Sequence, residues 1–389
     1  MLSMPSFVRG SLLMAAVALA PIAAAGARAQ QFIPEIIISS TIPANGDLNP
    51  YGVAFVPPNF PSGGTISPGD ILVSNFNNAA TMSNPGGVQG MGTTIIKLTP
   101  NGVITPPPAP GTTAGNATTF FPSSASGLTT ALGVLQRGFV LVGNVPTDST
   151  GAIQQGSLQV IDRKGTMVTT FTDQLKLTDP WDLTIVDNFN HATVFVSNVD
   201  NGTPGHTNGN VTRLNLIVSS AGVNLIGKPI VIASGYTVEL NDSALVLGPT
   251  GLALDRMTDT LYVASPADNA IFAVPNASTR SKPPPGGGTG TMIAQAGPLR
   301  GPLALVLAPN GNLVTANGDA MNQDPNHPSE IVELTKRGKF VGQFNVDAGT
   351  GGAFGVAISM VKDNTARLAT VNDNANDIIV IDQSVVSGQ

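Results

Sequence analysis

Few side chains in this sequence could carry chemistry, since only 11% of its 389 residues are charged. There is no cysteine, so thiolate catalysis and disulfides are both excluded. The three histidines, His191, His206 and His327, lie in separate loops without metal-ligand spacing. No G-x-S-x-G elbow occurs, and no Ser–His–Asp set can be argued. The runs "DNGTPGHTNGN" (200–210) and "NDNANDI" (372–378) are rich in oxygen donors but miss the EF-hand spacing, and read as hairpin turns. "NAT" (116–118) and "NGT" (201–203) fit the N-glycosylation pattern.

Two recurring sets remain. The first is a series of asparagines, Asn75, Asn144, Asn198, Asn317 and Asn372, with Ser265 in the equivalent place of one copy. Asn caps turns with its own side chain, and a ring of amides could also hydrogen-bond a polar ligand such as a sugar. The second set is aromatic: Tyr51, Trp181 and Phe354. An aromatic side chain can stack on a ligand with its polar atom wet, or plug a channel and pack. Both sets are candidate ligand-binding residues; no catalytic or metal-binding residue is assigned.

The spacing of these residues follows from a repeated phrase. An apolar strand A occurs six times, as "GVAFV" (52–56), "TALGVL" (130–135), "DLTIV" (182–186), "GLALD" (251–255), "ALVLA" (304–308) and "GVAIS" (355–359). Each is followed by a strand B ending in "LVSN", "LVGN", "FVSN", "YVAS", "VTAN" or "ATVN", and then by a strand C such as "TIIKLT" (94–99) or "DIIVID" (377–382). A fourth strand is clear at 165–171, 229–234, 290–296 and 339–344, and weak in the first copy as "GVIT" (102–105). The sixth copy lacks one, while "EIIISST" (35–41) is a spare strand near the start. A four-stranded sheet apolar on both faces cannot bury itself, and radial stacking solves this. The reading is all-β: a six-bladed β-propeller of four-stranded antiparallel blades, with the N-terminal strand completing the last blade. The runs 106–122 and 282–290, rich in Pro and Gly, read as loops within it.

Strand alternation places the start of A, the end of B and the B–C loops on one face. Four of those loops are long (76–92, 145–155, 199–208, 318–328) and two are short (266–269, 373–376). Insertions confined to one face of a repeat array mark a binding face.

The phrase Pro-x-Gly, apolar strand, "LYVAS" and "DNAIFAV" resembles the NHL-repeat propellers and the six-bladed gluconolactonase and strictosidine-synthase-like families. The resemblance covers 32–382. It implies a divalent metal in the central channel, held by Glu, Asn and Asp, several just before the Gly that opens strand A. Here those positions hold Tyr51, Thr129, Trp181, Thr250, Leu303 and Phe354, none of them a carboxylate or amide. A hard cation needs several converging oxygens. Asp182, one place later, is the only acid and reads as solvated in the channel. No cofactor is expected, and the reading leans against an enzyme.

Residues 1–29, with the apolar "SLLMAAVALAPIAAAG" and "ARA" before Gln30, read as a secretory signal peptide. Residues 30–389 read as one domain, exported to the periplasm or medium, with no membrane span after cleavage, and monomeric. An acidic chain, net charge −6, argues against nucleic acid. The expected function is a non-catalytic binding module for a saccharide, a cell-wall component or a protein, acting through the B–C-loop face. The alternative is a gluconolactonase-like hydrolase with a rearranged channel site.

Overall fold

The computed structural model describes residues 36–99, 104–148, 151–173, 176–199, 206–241, 244–318, 324–362 and 364–385. Residues 1–29, expected to be a signal peptide, lie outside them. Six antiparallel sheets follow one another along the chain. The innermost strands A are Leu48–Phe55, Leu128–Leu135, Pro180–Asp187, Leu252–Asp255, Pro302–Leu307 and Ala353–Lys362. Each packs against the next, and the first packs against the last, so the ring closes. In blade six the outer strand is Ile36–Ser40, paired with Asp377–Ser384 from Ile36↔Ile381 to Ser40↔Asp377.

Burial follows position in the blade. Strands B such as Ile71–Asn77 and Phe139–Asn144 are buried throughout, whereas the outer strand Met167–Phe171 is largely exposed. The core is accordingly a set of apolar layers between and within blades.

Two details differ from the sequence reading. The fourth strand of blade one is Thr118–Pro122, not residues 102–105. Ile104 and Thr105 are not in a strand, and Gly102 and Val103 are outside the described residues. The strand comes from the end of the Pro-rich run, where Phe120 and Phe121 are buried against blades one and two. Blade three is enlarged: its third strand runs His206–Ser219, its fourth Ile230–Asn241, and Gly222–Leu225 and Leu245–Leu247 add to it.

The opening of strand A is irregular in a repeated way. The A–B register shifts between Pro50 and Val53, Leu128 and Leu132, Pro180 and Asp182, Pro302 and Leu305, and Ala353 and Val356. A bulge leaves a residue unpaired and re-aims its side chain. The residues caught in these bulges include Tyr51, Trp181, Leu303 and Phe354. Neighbouring blades approach closely there, and a Cβ on Gly355 would stand 1.9 Å from the Tyr51 carbonyl oxygen. That contact requires glycine at 355; the equivalent positions of blades two, three and five hold Thr130, Asp182 and Ala304.

Candidate functional site

The bulges bring the aromatic set together. Tyr51 stacks on Phe76 at 4.7 Å and lies 4.6 Å from Phe354, and Trp181 meets Tyr51 at 6.1 Å and Phe76 at 5.5 Å edge-on. Centroid separations of this size are the favourable range for ring pairs. Tyr51, Trp181 and Phe354 are each 1% exposed and Phe76 is fully buried. Leu303, Val145, Val199 and Val246 belong to the same cluster, and Leu245 and Ile153 pack against it. The strand-A-start end of the channel is therefore filled by an apolar plug roofed by residues of the loops and of the enlarged blade three. The three rings singled out by spacing are found beneath that roof. Phe76, at the end of strand B, was missed. Its signal was the position directly after the Asn of "LVSN", which only blade one fills with a ring.

The asparagines are also buried, from Asn75, Asn198 and Asn317 at 0% to Asn372 at 3% exposure. Their amide nitrogens tie the end of strand B to the segment leading into strand A. Asn75 donates to the Thr41 carbonyl at 3.2 Å, Asn144 to Ser126 at 3.0 Å, Asn198 to Lys176 at 3.3 Å and Asn317 to Pro298 at 2.9 Å. In blade six Asn372 donates to the Asp347 carboxylate at 2.9 Å. The same side chains reach strand C: Asn75 donates to Thr94 Oγ1, Ser157 donates to Asn144, and Asn317 donates to Glu330 Oε1 at 2.8 Å. In blade four Ser265 binds Asp268 instead, at 2.7 Å, and Asn269 Nδ2 donates to Leu299 at 3.1 Å. The ring thus acts as a set of latches that satisfy loop carbonyls. The side-chain carbonyl oxygens of Asn75, Asn198 and Asn372 are buried without a partner.

Hydroxyls complete a collar at the same level. Ser74 donates to the Thr129 carbonyl at 2.7 Å, Thr129 to Pro180 at 2.8 Å, Ser197 to Thr250 at 2.7 Å and Thr250 to Leu303 at 2.6 Å, each linking one blade to the next.

Beyond the plug the channel is open. A cavity of about 230 Å³ is lined by residues of all six strands A, from Val53, Thr130 and Asp182 near the plug to Ile185, Leu307 and Ile358 at the far end. It is closed at the plug and reaches the face of the A–B turns, opposite the long B–C loops. Asp182 lies in it, but buried rather than solvated. Its Oδ1 accepts the Leu183 backbone N–H at 2.7 Å, and the Leu252 backbone N–H of blade four also donates to the carboxyl. Burial outweighs both bonds and holds its pKa well above the ordinary carboxylate value. Thr130 spends its hydroxyl on the Trp181 carbonyl.

A resident divalent metal does not fit this channel. Among the described residues Asp182 is the one carboxylate lining it, and no three His, Cys, Asp or Glu side chains converge to hold a metal. Of the histidines, His327 contacts Asp324 at 3.2 Å on the surface, and His191 begins an exposed strand end.

The ring of six blades defines the class, a six-bladed β-propeller. The PQQ-bound aldose sugar dehydrogenase of Streptomyces coelicolor is similar with a TM-score of 0.50 at 13% identity, over 90% of this chain and 98% of that one. A gluconolactonase of Xanthomonas campestris gives 0.49 at 11%, over 90% and 89%. A calcium-binding regucalcin of Agrobacterium tumefaciens gives 0.47 at 12%, over 90% and 95%. At such identities the likeness is one of fold, and function must be argued from the site. No family model matches the chain, and no curated protein is significantly similar to it in sequence.

Proposed function

We propose that this chain is an exported, non-catalytic binding module that engages a saccharide chain, such as a cell-wall polymer, through its B–C-loop face. The observation that carries the reading is the plug. Where the resemblance puts a metal-centred site, Tyr51, Phe76, Trp181 and Phe354 fill the channel beneath the loops. A partner on that face then meets the loops themselves. The loop at 78–92 packs on Thr147, whose Oγ1 donates to Gln89 O at 2.8 Å, and it carries Met82 fully exposed and Val88 at 38%. Its side chains are almost all neutral, as suits a neutral polar chain with apolar sugar faces. The hydrolase alternative would rest on Asp182 alone.

Co-sedimentation with purified peptidoglycan and with insoluble neutral polysaccharides tests this. The protein should pellet with at least one of them. The double variant Met82→Glu, Val88→Glu should stay in the supernatant while keeping its far-ultraviolet circular dichroism. Equal sedimentation of both proteins, or none with any polymer, would overturn the loop-face reading.

A further inference from the structure

We infer that the open half of the central channel is a binding site for a small organic ammonium ion with a compact apolar body, its charged head seated on Asp182. The site lies at the opposite end of the channel from the loop face, so it stands independently of the saccharide reading.

The argument begins with shape. Every blade presents strand A to the channel as the terminal strand of its sheet, and the plug closes one end. What remains is a blind tube of about 230 Å³. An apolar cavity of ~150 Å³ is enough to admit benzene. A single six-membered ring with a one-carbon arm therefore fits, and an extended chain or an oligosaccharide does not.

Chemistry narrows the class further. The lining side chains are mostly apolar, Val53, Leu132, Leu183, Ile185, Leu305 and Val356 among them, while the free backbone edges of the strands A make the wall about as polar as it is apolar; a small ring gains by leaving water on the side-chain surface only. Asp182 and Thr184 are the polar side chains that remain, because Thr130 is already bonded to the Trp181 carbonyl. Among the described residues no lysine, arginine or histidine lines the tube, so none of their side chains there neutralises the Asp182 carboxylate. A buried carboxylate without a counter-charge is costly, and a cation arriving from solution supplies one. A carboxylate or phosphate ligand would meet repulsion, and a purely apolar one would leave the carboxyl unanswered. Burial disfavours the charged form of Asp182 in the empty site, and an ammonium head beside it favours that form. Capture then proceeds as an exchange: the Asp182 carboxyl releases its proton to solvent, and the ammonium N–H groups donate to the carboxylate formed.

Benzylamine is the probe and benzyl alcohol its neutral counterpart. Calorimetric titration in two buffers of different ionisation enthalpy should show proton release on benzylamine binding. Affinity should rise with pH through the titration of the Asp182 carboxyl, while the amine stays protonated. Asp182→Asn keeps the size and the acceptor for Leu183; it should weaken benzylamine by about tenfold or more and leave benzyl alcohol unchanged. Should that variant fail to fold, the pH dependence in the natural chain decides by itself. Benzylamine binding that is undetectable at millimolar concentration, or independent of pH, or equal to that of benzyl alcohol, overturns the proposal. The Met82→Glu, Val88→Glu variant should bind benzylamine unchanged, which separates failure here from failure of the loop-face reading.

Discussion

Trp181 shows what one residue contributes and what its spacing conceals. It opens strand A in "DPWDLTIV", 1% exposed, with its indole N–H buried and unpartnered. Apolar contact with Tyr51 and Phe76 must therefore hold it in place, at the expense of an unmet donor. Trp181→Ala should lower stability by roughly 3–5 kcal/mol in urea unfolding, as for a large buried ring. As the only tryptophan, it should also emit at short wavelength and resist iodide quenching. A variant as stable as the natural chain would show that the plug contributes nothing. The equivalence of Tyr51, Trp181 and Phe354 was legible in the repeat. Plugging and ligand stacking both stayed open there, because the choice depends on bulges that turn the rings inward and on loops that fold over them. The asparagine series was likewise legible as a ring, while the loop carbonyls it satisfies lie 18 to 34 positions away and leave no local pattern, as with Asn144 to Ser126 and Asn75 to Thr41.

At the scale of elements, strands whose apolar alternation is bounded by turns could be read directly. The exceptions were the strands added to blade three and the outer strand of blade one, where the long Pro-rich excursion before Thr118 hides a strand whose partner, Thr94–Leu98, lies well upstream. The short B–C turn of blade six shows how an element can store unfavourable charge. Asp373 is partly buried there and burial raises its pKa to about 7; Asp377 is raised to about 6 by burial and by the Asp347 charge. A carboxyl whose folded pKa exceeds its unfolded value binds its proton more tightly in the native state. Its contribution is therefore most favourable below the unfolded pKa of about 4 and is lost as pH rises through the folded value. Asp373→Asn should accordingly raise stability at pH 8 by roughly 1–2 kcal/mol, discounting for partial solvation, and change little near pH 4. The Lys336–Asp255 pair, at 2.7 Å, works in the other direction, since Asp255 is lowered and that contribution fades only in acid. Melting curves of both proteins across the pH range test the sign; a variant less stable than the natural chain at pH 8 contradicts it.

For the whole molecule the decisive feature is how the ring shuts. Strand Ile36–Ser40 joins the two ends of the fold, and Thr41 continues the seam by donating its backbone N–H to the Asn376 carbonyl at 2.9 Å. The alternation is visible in burial: Ile36 and Ile38 are 55% and 51% exposed, whereas Ile37 packs against the core that includes Val380 and Ile378. Five paired residues are at stake, each ladder bond worth roughly 1 kcal/mol net, so starting the chain at Ile42 should cost about 3–6 kcal/mol. It would also bare the edge of Asp377–Ser384, a template for pairing with another molecule, and the truncated chain should aggregate on warming. A peptide of residues 35–42 supplied in trans should restore much of the lost melting temperature by adding the missing strand, while a scrambled peptide should not. Ile37→Asp in the full chain should imitate the truncation, and Ile38→Asp should be close to neutral, because one residue along a strand exchanges core for solvent. If the truncated protein melts within a degree or two of the intact one, the seam is not what closes the ring.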